Sequence, residues 1–334
     1  AHTIPKRWNS HPTNHCRRFE AEPTQGTRAG GGRQDAAGIG LSGLGARIGR
    51  MIDLHTHSTV SDGLDAPAVL VAGAAAAGLR VVALTDHDTF DGLDAARAAA
   101  SAVGIGFLGG FEFSAEVDGH SVHLLGYGCD PAEPDLAAEL VRVREGRTGR
   151  LPAMLTRLAG LGMPLTVADV AAFSDDASSL GRPHVADAMV AAGYVRDRDE
   201  AFARWLGDDR PAYVTRYATP LEAAIRLVRA AKGVAVVAHP WSRRGRHELP
   251  ERYLAELATE HGLDGVEADH PDHLPAERAA LHDLAGRLGV LATGSSDYHG
   301  AGKKAGFALG ACTTAPAAYE RLVGLIVDRG GQPR

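Results

Sequence analysis

Cysteine is scarce: Cys16, Cys129 and Cys312 lie far apart in the 334-residue chain and form no C-x-x-C pair. That spacing excludes a disulfide framework and a thiolate zinc site, and points to a reducing cytoplasm. No uninterrupted apolar run approaches the ~20 residues that span a bilayer, and no basic segment followed by an apolar stretch opens the chain, so neither membrane insertion nor secretion is expected. Basic charge is not in surplus. The 35 Lys and Arg against 41 Asp and Glu give a formal charge of −6, which argues against a protein that coats nucleic acid or lies on a membrane. An anionic substrate must then be met locally. Nothing resembles G-x-S-x-G, so no serine elbow is expected as nucleophile. No basic stripe or groove-reading helix marks a ligand of duplex DNA, and no feature marks an obligate protein partner.

Histidine, by contrast, is plentiful. There are 16, several beside acidic residues in short apolar segments. Residues 1–50 are rich in Gly, Arg, Thr and Pro without a sustained period, and the expectation is a disordered or non-native extension, with the natural chain starting at Met51. From Met51 on, short apolar runs alternate with alanine-rich helical patterns, the signature of strand-helix units on a mainly parallel sheet. Strands are predicted near 52–57, 81–86, 106–112, 121–127, 234–239, 265–268 and 290–297. A helix is predicted over 67–77, capped by Asp65 and stopped by Gly78. Another is announced by Thr219-Pro220-Leu221-Glu222, a capping box. Asp118-Gly119 signals a hairpin, which makes the third and fourth strands antiparallel. Between about 131 and 213 the strand signal gives way to helical patterns, predicting a helical insertion that caps a single domain over 51–334.

Clusters of His and acidic residues fall at the ends of the predicted strands, where strand-helix barrels place their sites. They are Asp53-Leu54-His55-Thr56-His57, Thr85-Asp86-His87-Asp88, Glu112, His123, His239-Pro240 and Asp297-Tyr298-His299. His55 and His57, two apart on a strand, project to one face and can chelate together, and Asp62 follows in the loop. Any one cluster alone is weak, since a lone His is usually a hydrogen-bonded structural residue and T-D-H-D can be a helix cap. Their coincidence after apolar strands is what indicates metal. Imidazoles with carboxylates and no thiolate suit manganese, zinc or iron(II), and there are more candidate ligands than one ion can use. His120 should point to the opposite pleat face from His123 and is excluded.

The strings D-L-H-T-H-S (53–58), D-G (62–63), T-D-H-D (85–88), G-x-E (110–112), H-L-L-G-Y (123–127), A-H-P (238–240) and S-D-Y-H-G (296–300) together resemble the polymerase and histidinol phosphatase (PHP) family, from about Met51 to the C-terminus. Gly181-Arg182-Pro183-His184 and Arg210-Pro211-Ala212-Tyr213 resemble its branch of stand-alone phosphoesterases acting on 3′,5′-nucleoside bisphosphates and short RNA 5′ ends. The resemblance implies an α/β fold, a distorted seven-stranded barrel, with three divalent ions, manganese first and zinc or iron as alternatives. It implies that His55, His57, Glu112 and Asp297 hold one ion, Glu112 with His123 and His239 a second, and Asp62, His87 and His299 a third. Aspartate at position 62, where other members use histidine, matches the nucleotide branch. Asp53, Asp86 and Asp88 are expected to orient the imidazoles.

The expected activity is therefore metal-dependent hydrolysis of a phosphate monoester by solvent, with Glu112, His239 and Asp297 at the reacting centre. The favoured substrate is the 3′-phosphate of a 3′,5′-nucleoside bisphosphate, with 5′-to-3′ trimming of short RNA beside it. Arg182 and Arg210, with Arg243 at the mouth, are candidates to grip a second phosphate, and His184 is the candidate general acid. The enzymatic rival is histidinol-phosphate phosphatase, whose cationic tail calls for an acidic pocket. A different class is a non-catalytic metal-binding module of the kind attached to polymerases.

Overall fold

The computed structural model describes residues 52–173, 180–207, 209–215, 217–242 and 245–333. The expected extension over 1–50 and the candidate Arg243 lie outside them. Eight strands form one sheet: β1 (Ile52–Asp53), β2 (Val81–Leu84), β3 (Gly106–Val117), β4 (His120–Tyr127), β5 (Thr219–Pro220), β6 (Val234–Val237), β7 (Gly265–Asp269) and β8 (Leu291–Gly294). Seven follow the order β1-β2-β3-β4-β6-β7-β8, and β5 pairs only with β3. Past the ends of β1 and β8, Thr56 and Tyr298 form a parallel bridge that brings the two edges together. The His57 N–H donates to the Tyr298 carbonyl there, at 2.7 Å. This is the distorted seven-stranded barrel that the family resemblance implies. β4 runs antiparallel to both β3 and β6, while the other pairs are parallel.

The reason for the irregularity is local. Asp118 and Gly119 both have positive φ, 49° and 79°, the twist of a two-residue turn that suits a hairpin. β4 must therefore return alongside β3 and cannot cross over. β6 reads Val-Ala-Val-Val and is buried throughout, as a strand covered on both faces should be.

Helices α1 (Pro67–Ala76), α2 (Leu93–Val103), α3 (Pro134–Gly160), α4 (Val167–Ala171), α5 (Arg182–Ala191), α6 (Arg198–Ala201), α7 (Leu221–Ala230), α8 (Gly245–Glu248), α9 (Glu251–Glu260), α10 (Pro275–Leu288) and α11 (Pro316–Asp328) follow in chain order. Phe111, Phe113, Leu124 and Val237 of the sheet pack with Leu221, Ile225, Leu254 and Leu281 of α7, α9 and α10. The second half of α3 gathers with α4 to α6 and the turn after them into a second apolar cluster, including Met154, Leu158, Val185, Met189 and Leu206, while Leu136, Leu140 and Val143 of its first half pack with the sheet.

Three local expectations are corrected. Asp65 does not cap α1: Ala66 is the N-cap, without a side-chain bond, and the Asp65 carboxylate accepts from the Tyr298 hydroxyl at 2.6 Å instead. Thr219 opens no capping box, because Thr219 and Pro220 are used to pair with Ala115 and Glu116 and the Thr219 hydroxyl donates to Glu139. The strands also stop short of the site residues, at Asp53, Leu84, Val237 and Gly294. Beyond them carboxylates replace the ladder: Asp86 accepts from the Ser58 N–H at 2.8 Å, and Asp53 from the N–H groups of Ser296 at 3.0 Å and Gly310 at 2.9 Å.

A Cβ at Gly119 would meet nothing within 4 Å, so only its left-handed backbone resists a side chain. Gly119→Ala is expected to cost about 1–2 kcal/mol, measured by urea unfolding of the metal-free protein with an unchanged slope.

Candidate metal centre

The nine predicted ligand candidates converge. His55 and His57 follow β1, fully buried, with their Nε2 atoms 3.0 Å apart. Glu112, in the middle of β3 and 1 % exposed, reaches into the same space. Its Oε2 lies 3.3 Å from His55 Nε2, 3.1 Å from His57 Nε2 and 3.1 Å from His87 Nδ1. Its Oε1 lies 2.8 Å from His123 Nδ1 and 3.1 Å from His239 Nε2. Asp297 Oδ1 sits 3.4 Å and 3.5 Å from the Nε2 atoms of His55 and His57. Asp62 Oδ1 is 3.2 Å from His299 Nε2 and 3.8 Å from His87 Nε2. Within the nine, three groups have ligand atoms within 4.8 Å of one another: His57, Asp62, His87 and His299; His55, His57 and Asp297; and His87, Glu112 and His123; a fourth such group among the described residues, Glu256, Glu260 and His261, contains none of the nine. His57 and His87 each belong to two groups, where the family resemblance assigned each to one ion.

This donor set fits divalent ions better than it fits a hydrogen-bond network. Three imidazole nitrogens crowd one carboxylate oxygen of Glu112, which has room for about two donors. His55 and His57 aim ring nitrogens at each other, although a neutral pair can share only one proton. Buried Asp62 Oδ1 and His123 Nδ1 approach His299 and Glu112 at 3.2 Å and 2.8 Å without the geometry of a hydrogen bond, an arrangement that a shared ion would satisfy better than a proton. Ligands bound at about 2.0–2.2 Å around one ion would sit roughly 3.0–3.5 Å from each other, the spacing seen across the cluster.

Second nitrogens fix several rings. His55 Nδ1 lies 3.1 Å from Glu267 Oε1, and His299 Nδ1 donates to the Asp297 carbonyl at 2.8 Å, so in each neutral ring Nε2 is left with its lone pair facing the cluster. Burial opposes charge on His57, but Asp297 and Glu112 outweigh it and lift that ring to about 10. His55 and His239 move the same way against burial, chiefly through Glu112. Burial works against Glu112 and Asp297 too, yet the surrounding imidazoles hold both well below the usual carboxylate range.

Of the three aspartates expected to orient imidazoles, Asp53 and Asp86 do other work. Both bind loop N–H groups, and Asp86 also takes the Ser58 and Ser61 hydroxyls, at 2.6 Å each. Asp88 accepts from the Ser114 N–H at 2.7 Å. The carboxylate beside an imidazole is Glu267, which the sequence reading missed inside an ordinary apolar strand. His270 was also missed. Its Nδ1 accepts from the Asp272 N–H at 3.1 Å, so the neutral ring presents Nε2–H to Asp297 Oδ2 at 3.4 Å. Lys304 Nζ lies 4.0 Å from the same oxygen.

Beside His87 and His123, a cavity of 210 Å³ is lined also by Arg150, Arg182, Tyr213, Ser121 and Glu116. Arg182 faces the Phe202 and Tyr213 rings, and Arg150 the Tyr213 ring. Arg210 is exposed and outside this lining. His184 opens α5, half buried, its Nδ1 accepting from the Gly181 N–H at 3.0 Å. Burial and then the charge of Lys303 push it down. Among the described residues, no hydrogen bond or ion pair joins His184 to the nine. A second cavity, of 580 Å³, carries Asp118, Glu222, Glu248 and Glu256, but none of the nine lines it. No helix is long and apolar enough to cross a membrane among the described residues.

The PHP domain model matches residues 53–159. The chain is 37% identical over 257 residues to a 3′,5′-nucleoside bisphosphate phosphatase of Chromobacterium violaceum, covering 75% of this chain and 88% of the relative. It is 32% identical over 250 residues to a 5′-3′ exoribonuclease of Haemophilus influenzae, covering 74% and 89%. A solved Bifidobacterium adolescentis structure, assigned as a metal-dependent phosphoesterase, superposes with a TM-score of 0.72 at 35% identity, over 82% of this chain and 95% of that one. The metal-fitting cluster, with Glu112 and His123 inside β3 and β4 and the other ligands beyond strand ends, thus sits in a chain that belongs to the PHP family of metal-dependent phosphoesterases.

Proposed function

We propose that the protein removes the 3′-phosphate from 3′,5′-nucleoside bisphosphates, with related trimming of short RNA from its 5′ end, using three divalent ions, manganese foremost, held by His55, His57, Asp62, His87, Glu112, His123, His239, Asp297 and His299. One observation carries the choice of substrate: the cavity holding Arg150 and Arg182 is lined also by His87 and His123 of the ligand set. A substrate with two phosphates needs two anion sites, and this juxtaposition supplies the second. Ions bound at the cluster would polarise the phosphoryl oxygens and make a hydroxide-like nucleophile available near neutral pH. Glu112 lies between imidazoles from four segments and sets their separation. Arg150 and Arg182 would orient the ester through planar hydrogen-bonded forks. Histidinol phosphate is less well served, since the acidic cavity that would suit its tail contains none of the nine. The activities named for two relatives, on a nucleoside bisphosphate and on RNA, support the same class of substrate.

Phosphate release from adenosine 3′,5′-bisphosphate by manganese-loaded protein tests this directly. Release should be rapid and fall about 100-fold or more in Glu112→Gln; no release from fully metallated parent protein would remove the nucleotide assignment. Arg150→Ala and Arg182→Ala should each raise KM for the bisphosphate about 10- to 100-fold, the worth of one charged hydrogen-bonding group. The same variants should change turnover of a simple aryl monophosphate little. Equal losses on both substrates would deny the cavity a role in selection.

The raised histidines set the pH dependence of metal loading. With His57 lifted to about 10 by Asp297 and Glu112, and His55 and His239 shifted upward as well, an incoming ion must displace the His57 proton at pH 7. Binding should release protons, and apparent affinity should climb as pH rises toward about 10 and weaken as it drops. Calorimetry in buffers of different ionisation enthalpy measures the release, and zero net exchange at pH 7 would contradict the assigned ligands.

A further inference from the structure

Glu267 is fully buried on β7, and three hydrogen-bonding partners meet its two oxygens. Oε1 lies 3.1 Å from His55 Nδ1 and accepts from the Ser295 hydroxyl. Oε2 accepts from the His239 backbone N–H at 2.8 Å. His239 needs that support, because its φ of 29° is one that a side-chain-bearing residue rarely adopts. One carboxylate therefore controls two rings in different ways. It accepts a hydrogen bond from His55 Nδ1–H, which directs the Nε2 lone pair at His57, Glu112 and Asp297. It also pins the backbone that carries His239 Nε2 to within 3.1 Å of Glu112.

We infer that Glu267 is a positioning residue of the metal centre, which fixes the His55 tautomer and the His239 backbone together and so couples the filling of two neighbouring ion sites. The inference rests on the ligand assignment above. An ionised carboxylate only accepts hydrogen bonds, so its geometry admits one tautomer of His55. Glutamine has nearly the same shape but not the same logic. Its amide oxygen must face the His239 N–H, which can only donate. The NH2 then points at His55 Nδ1, which has to accept, and the ring proton moves to Nε2, where an ion would bind.

Three measurements on the whole protein test this. In zinc-loaded, 15N-histidine-labelled protein, His55, identified by the signal lost in His55→Gln, should show a protonated Nδ1 and an unprotonated Nε2. A His55 with Nε2 protonated would overturn the inference without any variant of Glu267. Zinc affinity, read by chelator competition, should fall about 10- to 100-fold in Glu267→Gln. Finally, Glu267→Gln combined with His55→Gln should lose little more than His55→Gln alone, since both changes remove the same bond, whereas losses that simply add would mean that Glu267 acts only as buried filler. If His55→Gln itself leaves zinc binding intact, the ligand assignment fails; if it weakens binding while Glu267→Gln does not, only the role of Glu267 fails.

Discussion

The structure depends on one buried carboxylate. Glu112 is sealed inside the barrel against five imidazoles, and an isolated charge there would cost several kcal/mol. Compensation has to come from around the barrel at once: His55 and His57 after β1, His87 after β2, His123 on β4 and His239 after β6. The antiparallel β4 is what makes this possible. It lies between β3 and β6, so His123, paired with Ser114, sits diagonally across from Glu112 on the same face, while His239 closes from the far side. A regular parallel barrel would have a crossover helix between β3 and β4 and would send the chain back outside the sheet.

Much of this was legible beforehand, because the signals were local and repeated. Two histidines at strand spacing, a carboxylate ending an apolar run, and an Asp-Gly turn each carry meaning without knowledge of the fold. Glu267 was not legible for the opposite reason. Inside Gly-Val-Glu-Ala-Asp it looks like one polar residue in a short strand, and its role emerges only when His55, 212 positions away, is brought to it. Asp53 and Asp86 were placed beside the site correctly but given the wrong partners, since sequence cannot tell whether a carboxylate will meet an imidazole or a loop N–H. Arg150 sits within the 27-residue α3 among other arginines, with nothing local to distinguish it from a solvated helix face.

The charge pattern of the molecule also becomes intelligible. A net charge of −6 does not favour a phosphate ester, so attraction has to be local, and the arginines come from the helices inserted after β4 while the barrel supplies histidines and carboxylates. On the proposed function, grip and chemistry would rest on different parts of the chain, with α3 spanning both: its first half packs with the sheet through Leu136, Leu140 and Val143, and its second half joins the cluster of the inserted helices. On that reading, changes in the second half of the insertion could alter which ester is held while leaving the strands intact.

Closure of the barrel through Asp53 has a consequence for biosynthesis. Its carboxylate joins the first strand to Ser296, 243 residues on, and to Gly310, 257 residues on. At ~5–20 residues per second, roughly 12–50 s of translation separate the two sides of that seam. His55 and His57 thus leave the ribosome long before Asp297 and His299 exist to complete their surroundings. The nascent chain carries a half-built chelator until residues 296–310 have been made, and the full ligand set comes together only once the last strand has docked.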